Sequence, residues 1–327
     1  METLSVTIGS AIENYLKSVE QARSAHTTST YRNAMTSFRA TLADHGSPTK
    51  TSLISELTED AIAWFIADLK GYAPATERLY LTAAAGFLEY VAAEKMTELN
   101  LPRMRLLIRQ RARRPGQRLP QFPREDIEKI LEYAINISNS PVEGQTGLLR
   151  NLRDRAFLLT LADTGLRVHE ACALRRGDVD WNESRAIIIG KGDKQAVIRF
   201  STRSMAAIKD YLAARSTLDG AAGKPLASLP LFARHDLGAG KKIKRITTRT
   251  GQNIVDQRVA EALGSGSVGS ITPHSFRHYF VTMVLRGSGG NLKLAQELAR
   301  HTSIAVTQRY AHLSDDELDQ GYEEIFN

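Results

Sequence analysis

The chain has 327 residues, a formal net charge of +7 and 42% hydrophobic residues. That length suggests two domains, and the apolar share excludes a disordered chain. The positive balance points to an anionic partner, and a single cysteine, Cys172, excludes an intrachain disulfide and a cysteine-based zinc site.

A lone cysteine fits a reducing compartment, and Cys172 within EACAL reads as a small buried apolar group. The opening METLSVTIGSAIENYL lacks a basic start followed by an apolar run, so no signal peptide is expected. No stretch approaches the ~18 apolar residues of a membrane span. A cytoplasmic protein is expected.

Residues 1–102 read as helices. TIGSAIENYLKSVEQA places Ile8, Ile12, Tyr15, Leu16 and Val19 at helical spacing. Thr27 to Thr30 offer N-caps for TYRNAMTSFRATLADHG, which stops at Gly46. LTEDAIAWFIADLKG opens at Thr58 with acids in its first turn and ends at Gly71. APATERLYLTAAAGFLEYVAAEKM supplies the fourth helix of a small all-α domain.

Composition then shifts. Arg103, Arg105, Arg109, Arg111, Arg113, Arg114 and Arg118 crowd a stretch without one acid, and Pro115, Gly116, Pro120 and Pro123 break it. Residues 103–122 are expected to be a linker whose arginines contact phosphate.

The remainder, 123–327, reads as mostly helical with a small antiparallel sheet. Helices are expected over 124–137 and 151–163, in TGLRVHE, and over 202–214. A hairpin is expected near 185–200, from the run Ile187 to Ile189, the turn residues Gly190, Gly192 and Asp193, and the run Ala196 to Phe200. Residues 217–270 form a basic excursion around a helix at 250–263, with Lys241, Lys242, Lys244 and Arg245 as further DNA-contact candidates. Helices resume at 274–286, 291–300, 303–312 and 315–325. The last carries Asp315, Asp316, Glu317, Asp319, Glu323 and Glu324 with no basic residue, beside an apolar face of Leu318, Tyr322, Ile325 and Phe326. Such a tail is repelled by DNA and should dock on protein, its own or a neighbour's.

A phosphodiester is a stable anion. Breaking it without water needs a nucleophile, donors for the developing charge and a proton for the departing oxygen. Arg167 and Glu170 in TGLRVHE, Lys191 in the hairpin turn, His274 and Arg277 in HSFRH, and His301 and Tyr310 in LARHTSIAVTQRYAHL together supply such a set. Arginine forks suit the non-bridging oxygens, and a lysine on a turn can protonate a leaving oxygen. Lys194 competes with Lys191 across the turn, and Tyr279 and Tyr322 are rival nucleophiles. His274 and His278 stand at the spacing of a metal-binding pair, but Ser275 lacks a glutamate's role and Arg277 repels a dication; no metal and no cofactor are expected.

In combination these motifs resemble the tyrosine recombinase, or phage integrase, family, most of all its compact Xer-type members. TGLRVHE resembles the first arginine motif, GKGDK the hairpin lysine motif, TPHSFRH the His-x-x-Arg box, LARHTS the second histidine box, and TQRYAHL the nucleophile segment. The resemblance implies a helical core-binding (SAM-like) domain at 1–102 and a catalytic domain at 123–327, the two clamping duplex DNA. It implies a site-specific recombinase acting through a 3′-phosphotyrosine. Arg167, Arg277, His274 and His301 would hold the phosphate, Lys191 would act as acid and Tyr310 as nucleophile, with Glu170 in support. It further implies a tetramer on DNA recombination sites, with the tail helix exchanged between protomers and accessory proteins as further partners. The chain is expected to start directly at the helical domain. Type IB topoisomerase-like relaxation, or a non-catalytic accessory factor of a mobile element, are the alternatives. The sequence departs from the family at His169, where a small polar residue is common, at Ala299-Arg300, where Leu-Gly is usual, and in the long segment 217–270.

Overall fold

The computed structural model describes residues 6–113, 123–137, 144–189, 195–236, 242–301 and 303–308. The chain divides into two compact units, Met1–Arg118 and Leu119–Asn327.

The first unit is built from α1 (Ile8–Ala22), α2 (Ala25–Asp44), α3 (Asp60–Asp68), α4 (Pro74–Ala93) and α5 (Leu101–Arg111). The apolar stripe expected of α1 is buried as Ile8, Ile12, Tyr15, Leu16 and Val19. Phe38 of α2 sits at the centre of the core, edge-on to Phe65 at 5.1 Å and to Phe87 at 6.2 Å. The N-cap of α2 is Ser24, not one of the threonines 27–30. Its hydroxyl accepts from the Thr27 amide at 3.3 Å, so the helix starts a turn earlier than the threonine cluster suggests.

The fifth helix corrects the expected linker. Asn100 caps it through a 3.0 Å bond from the Arg103 amide, Pro102 occupies the first turn, and Met104 and Leu107 drop into the core of this unit. Two of its four arginines are committed to ion pairs. Arg103 pairs with Glu59 and Asp60 at 2.9 and 2.6 Å, and Arg105 pairs with Glu89 at 2.8 Å. Just beyond the helix, the Arg113 amide donates to the fully buried Glu77 at 2.9 Å, and its side chain donates to the same carboxylate. Burial alone would raise the Glu77 pKa, but the Arg113 contacts and Lys70 hold it below the ordinary value. Arg109 and Arg111 are exposed and make no ion pair among the described residues. Arg114 and Arg118 lie outside the described residues.

The second unit contains α6 (Arg124–Asn136), α7 (Gly144–Thr164), α8 (Val168–Ala173), α9 (Thr202–Ala214), α10 (Ser216–Gly220), α11 (Thr248–Leu263), α12 (Pro273–Gly287), α13 (Leu292–Ala299) and α14 (Ile304–Gln308). Between α8 and α9 runs an antiparallel sheet of β1 (Val179–Asp180), β2 (Arg185–Ile189) and β3 (Gln195–Arg199), in the order β1-β2-β3. The hairpin was legible, but the two-residue β1 was not. The register sets Arg185 opposite Arg199 and Ile187 opposite Val197. Alternation buries Ala186, Ile188 and Ile198, and leaves Ile187, Ile189 and Val197 on the open face.

α7 is the spine of this unit and packs on α6, α9 and α12. α11 packs on α6 and α8. A Cβ on Gly251 would sit 2.8 Å from Val168 and 2.9 Å from the Cys172 sulfur, so α11 and α8 approach at a distance only glycine permits. Cys172 is buried, as its apolar setting suggested, and burial pushes its thiol up to about 12. No helix among the described residues is long and apolar enough to cross a membrane.

Candidate active site

The site begins at the turn between α7 and α8. Thr164 ends α7, donating to the Thr160 carbonyl at 2.6 Å and accepting from the Leu166 amide at 3.2 Å. Gly165 follows with φ +60°, and a Cβ there would lie 2.4 Å from the Phe280 ring. Both its dihedral and its contact require glycine. Gly165→Ala is therefore expected to cost about 2–5 kcal/mol, summing left-handed strain and overpacking. Urea unfolding checks this, and adding Phe280→Ala should restore part of the loss.

Arg167 caps α8. Its amide donates to Glu170 Oε2 at 2.9 Å and its Nη1 to Oε1 at 3.0 Å. The carboxylate is buried, whereas the Arg167 side chain is about half exposed. Burial would raise the Glu170 pKa. The Arg167 amide and the charges of Arg300 and Arg167 outweigh it and hold the group below its usual range, so Glu170 stays an anion.

α12 supplies the second part. Pro273 occupies its first turn, and the Thr272 amide donates to Ser275 Oγ at 3.1 Å. His274 is exposed and Arg277 is buried, three residues apart on one helix. The His274 and His278 rings meet edge-to-face at 4.2 Å. Arg277 reaches from α12 to two carbonyls: Nη1 donates to Gly165 and Nη2 to Ala299. One guanidinium thus ties the α7–α8 turn to the end of α13.

The third part follows α13. Arg300 takes a left-handed conformation, φ 57° and ψ 45°, and ends the helix where glycine is the usual solution. Its Nη2 donates to Glu170 Oε2 at 3.1 Å, and lies 3.5 Å from the Gly165 carbonyl. His301 comes next, its Nδ1 2.8 Å from the Thr307 hydroxyl on α14.

Positive charge and burial keep these histidines neutral. Burial, then Arg277, Arg167, His274 and Arg300, pushes His301 down to about 4. Burial, then His274, Arg277 and His301, brings His278 to about 4. His274, open to solvent on one side, is lowered by the partial desolvation of its ring and then by Arg277 and Arg167. Away from the site, His235 is pushed to about 3 by burial and by Arg153, Arg215 and Arg150. An unfolded histidine titrates near 6.5, above all of these values. Between about pH 6.5 and 4 the unfolded chain binds more protons, so stability is fully present above that window and is lost as pH falls through it. The urea midpoint should fall from pH 7 to pH 5, and fall less in His278→Gln; a midpoint equal at both pH values contradicts this.

Of the residues expected to act together, the structure gathers Arg167, Glu170, His274, Arg277 and His301. It adds Arg300, which was visible in the sequence only as a departure from the usual pattern. Lys191, with its rival Lys194, lies between Ile189 and Gln195, outside the described residues. Tyr310 and the tail 315–325 also lie outside them, as does Lys241. Lys242, Lys244 and Arg245 are exposed on the segment before α11. Tyr279 is buried in α12, as a core residue would be.

The sequence and the fold that carry this site are matched by known proteins. The profile of the phage integrase family fits residues 122–317. The chain belongs to the phage integrase family. It is 31% identical over 275 residues to the tyrosine recombinase XerC of Treponema denticola, covering 82% of this chain and 84% of that one. It is 28% identical over 305 residues to XerC of Myxococcus xanthus, covering 93% and 92%. Its fold is shared with XerH recombinase bound to a difH substrate before cleavage, with TM-score 0.65, 20% identity and coverage of 95% and 83%. A lambda integrase (75–356) dimer bound to a COC′ core site also shares it, with TM-score 0.63, 16% identity and coverage of 94% and 96%. The mainly helical fold with a three-stranded sheet is thus that of the family, and the chain is a tyrosine recombinase.

Proposed function

We propose that this recombinase cleaves duplex DNA by attack of Tyr310 on the scissile phosphate, leaving a 3′-phosphotyrosine and a free 5′-hydroxyl. The Tyr310 oxygen forms the new P–O bond as the bond to the 5′-oxygen breaks, and Lys191 gives that oxygen its proton. Arg167 and Arg277 neutralise the non-bridging oxygens, while His274 and His301 donate to them or take the tyrosine proton. Glu170 orients Arg167. The phosphotyrosine retains the energy of the broken bond, so rejoining in a partner duplex needs no nucleotide.

The observation that carries this reading is the Arg277 bridge, because one buried guanidinium holds the two arginine motifs and the second histidine box in register. The N-terminal unit is the core-binding domain; Arg109 and Arg111 from it, and Lys242, Lys244 and Arg245 from the second unit, are the leading candidates for contacts to the DNA backbone. The active assembly is a tetramer on two recombination sites, with the acidic tail passed to a neighbouring protomer and accessory proteins as further partners, in the cytoplasm.

The test starts from a random-sequence duplex library, from which the fragments retained by the protein are sequenced. The recovered site is then built into a nicked suicide duplex. A covalent protein–DNA adduct that survives detergent is the expected result, and its absence overturns the reading. Relaxation of a supercoiled plasmid lacking the site would favour topoisomerase-like action instead.

A further inference from the structure

We infer that Arg300 is a positioning residue for strand cleavage, which fixes Glu170 and, through it, the Arg167 guanidinium. The inference rests on the recombinase reading of the site. Three observations meet at this side chain. Its backbone is left-handed, a conformation that residues with a Cβ adopt rarely, yet an arginine stands there. Its guanidinium crosses to Glu170, 130 positions earlier in the chain, and its side chain is only 12% exposed. Its Nε and Nη1 are buried and have no hydrogen-bond partner among the described residues. A buried charge held by one carboxylate is an arrangement that persists where that carboxylate has to be kept in place.

Glu170 is consequently gripped from two sides. Oε1 receives Arg167 Nη1, while Oε2 receives the Arg167 amide and Arg300 Nη2. Without Arg300, a single flexible and half-exposed arginine would hold the carboxylate, and either could turn away from the phosphate. Because its remaining donors are buried, Arg300 reaches the reaction through Glu170 and not by opening onto the DNA. It also contributes charge beside His301, which meets the charges of Arg277 from α12 and Arg167 at the start of α8, the rings of His274 and His278 from α12, and Thr307 from α14.

Arg300→Gly removes the guanidinium and suits the left-handed backbone, so the fold is preserved. Single-turnover cleavage of the suicide duplex should fall about 10- to 100-fold, the range seen when outer partners of an active group are lost, with site affinity within about twofold. Arg300→Lys should recover part of the rate, since an ammonium still pairs with Glu170. In a Glu170→Gln background, Arg300→Gly should add little further loss. A second measurement stands apart from activity: in the DNA-free protein, the Arg167 side-chain Nε order parameter should drop in Arg300→Gly. Unchanged cleavage, an equal loss in both backgrounds or an unchanged Arg167 order parameter would each overturn the inference. Failure of the wild type to form any adduct overturns the recombinase reading instead, and the order parameter still decides the role of Arg300.

Discussion

Tyr310→Phe is expected to bind the recombination site as the wild type does and to form no covalent complex. Phenylalanine lacks the one atom that would bond to phosphorus, and its loss leaves the ring's volume unchanged, so the effect is on chemistry alone. Thr307 of α14 is fully buried and bonds His301 Nδ1. The rival Tyr279 is packed in α12. Incubation with the suicide duplex followed by denaturing electrophoresis reads the result, and a persisting adduct would move the nucleophile elsewhere.

Arg277→Ala is the second large effect. Cleavage should slow by roughly 10³–10⁵, the size of the loss seen when an arginine is withdrawn from a phosphoryl-transfer site. The Ala299 carbonyl would also lose its Arg277 donor in a buried position, and that of Gly165 would keep only the 3.5 Å contact from Arg300. Thermal unfolding should therefore shift downward together with the rate. Arg277→Lys should not restore the rate, because a single ammonium cannot span two carbonyls on separate elements as a planar fork does. Rapid-quench cleavage and a melting curve separate the two losses; a lysine variant with wild-type cleavage would remove Arg277 from the site.

Much of this was legible in the sequence because helices announce themselves by periodicity and caps. The apolar stripe of α1, the proline opening of α4 and the hairpin turn residues required nothing distant. The elements missed were those whose cause lies elsewhere in the chain. Arg-rich composition hid α5, although Met104 and Leu107 stand three apart behind a capping Asn100; the acids that pair with Arg103 and Arg105 lie 16 to 44 positions away. β1 is two residues long and exists by pairing with β2, so no local pattern marks it. Within the site, residue types and their order were readable, and so was the Arg167–Glu170 pair, three residues apart. The Arg277 bridge and the Arg300–Glu170 pair join positions more than a hundred residues apart, and only folding makes them neighbours.

The open face of the sheet has a consequence for how the protein behaves in a tube. Ile187, Ile189 and Val197 form an apolar strip in water, and at one end of it Arg185 and Arg199 stand directly opposite each other. Two copies stacking these faces with the arginine ends together would bring four guanidinium groups close, two of them paired with Asp180, and their repulsion opposes that stacking at low ionic strength. Salt shortens its reach, to about 3 Å at 1 M. High-salt storage, often chosen to keep DNA-binding proteins in solution, would here weaken the charge that guards the strip and favour clumping.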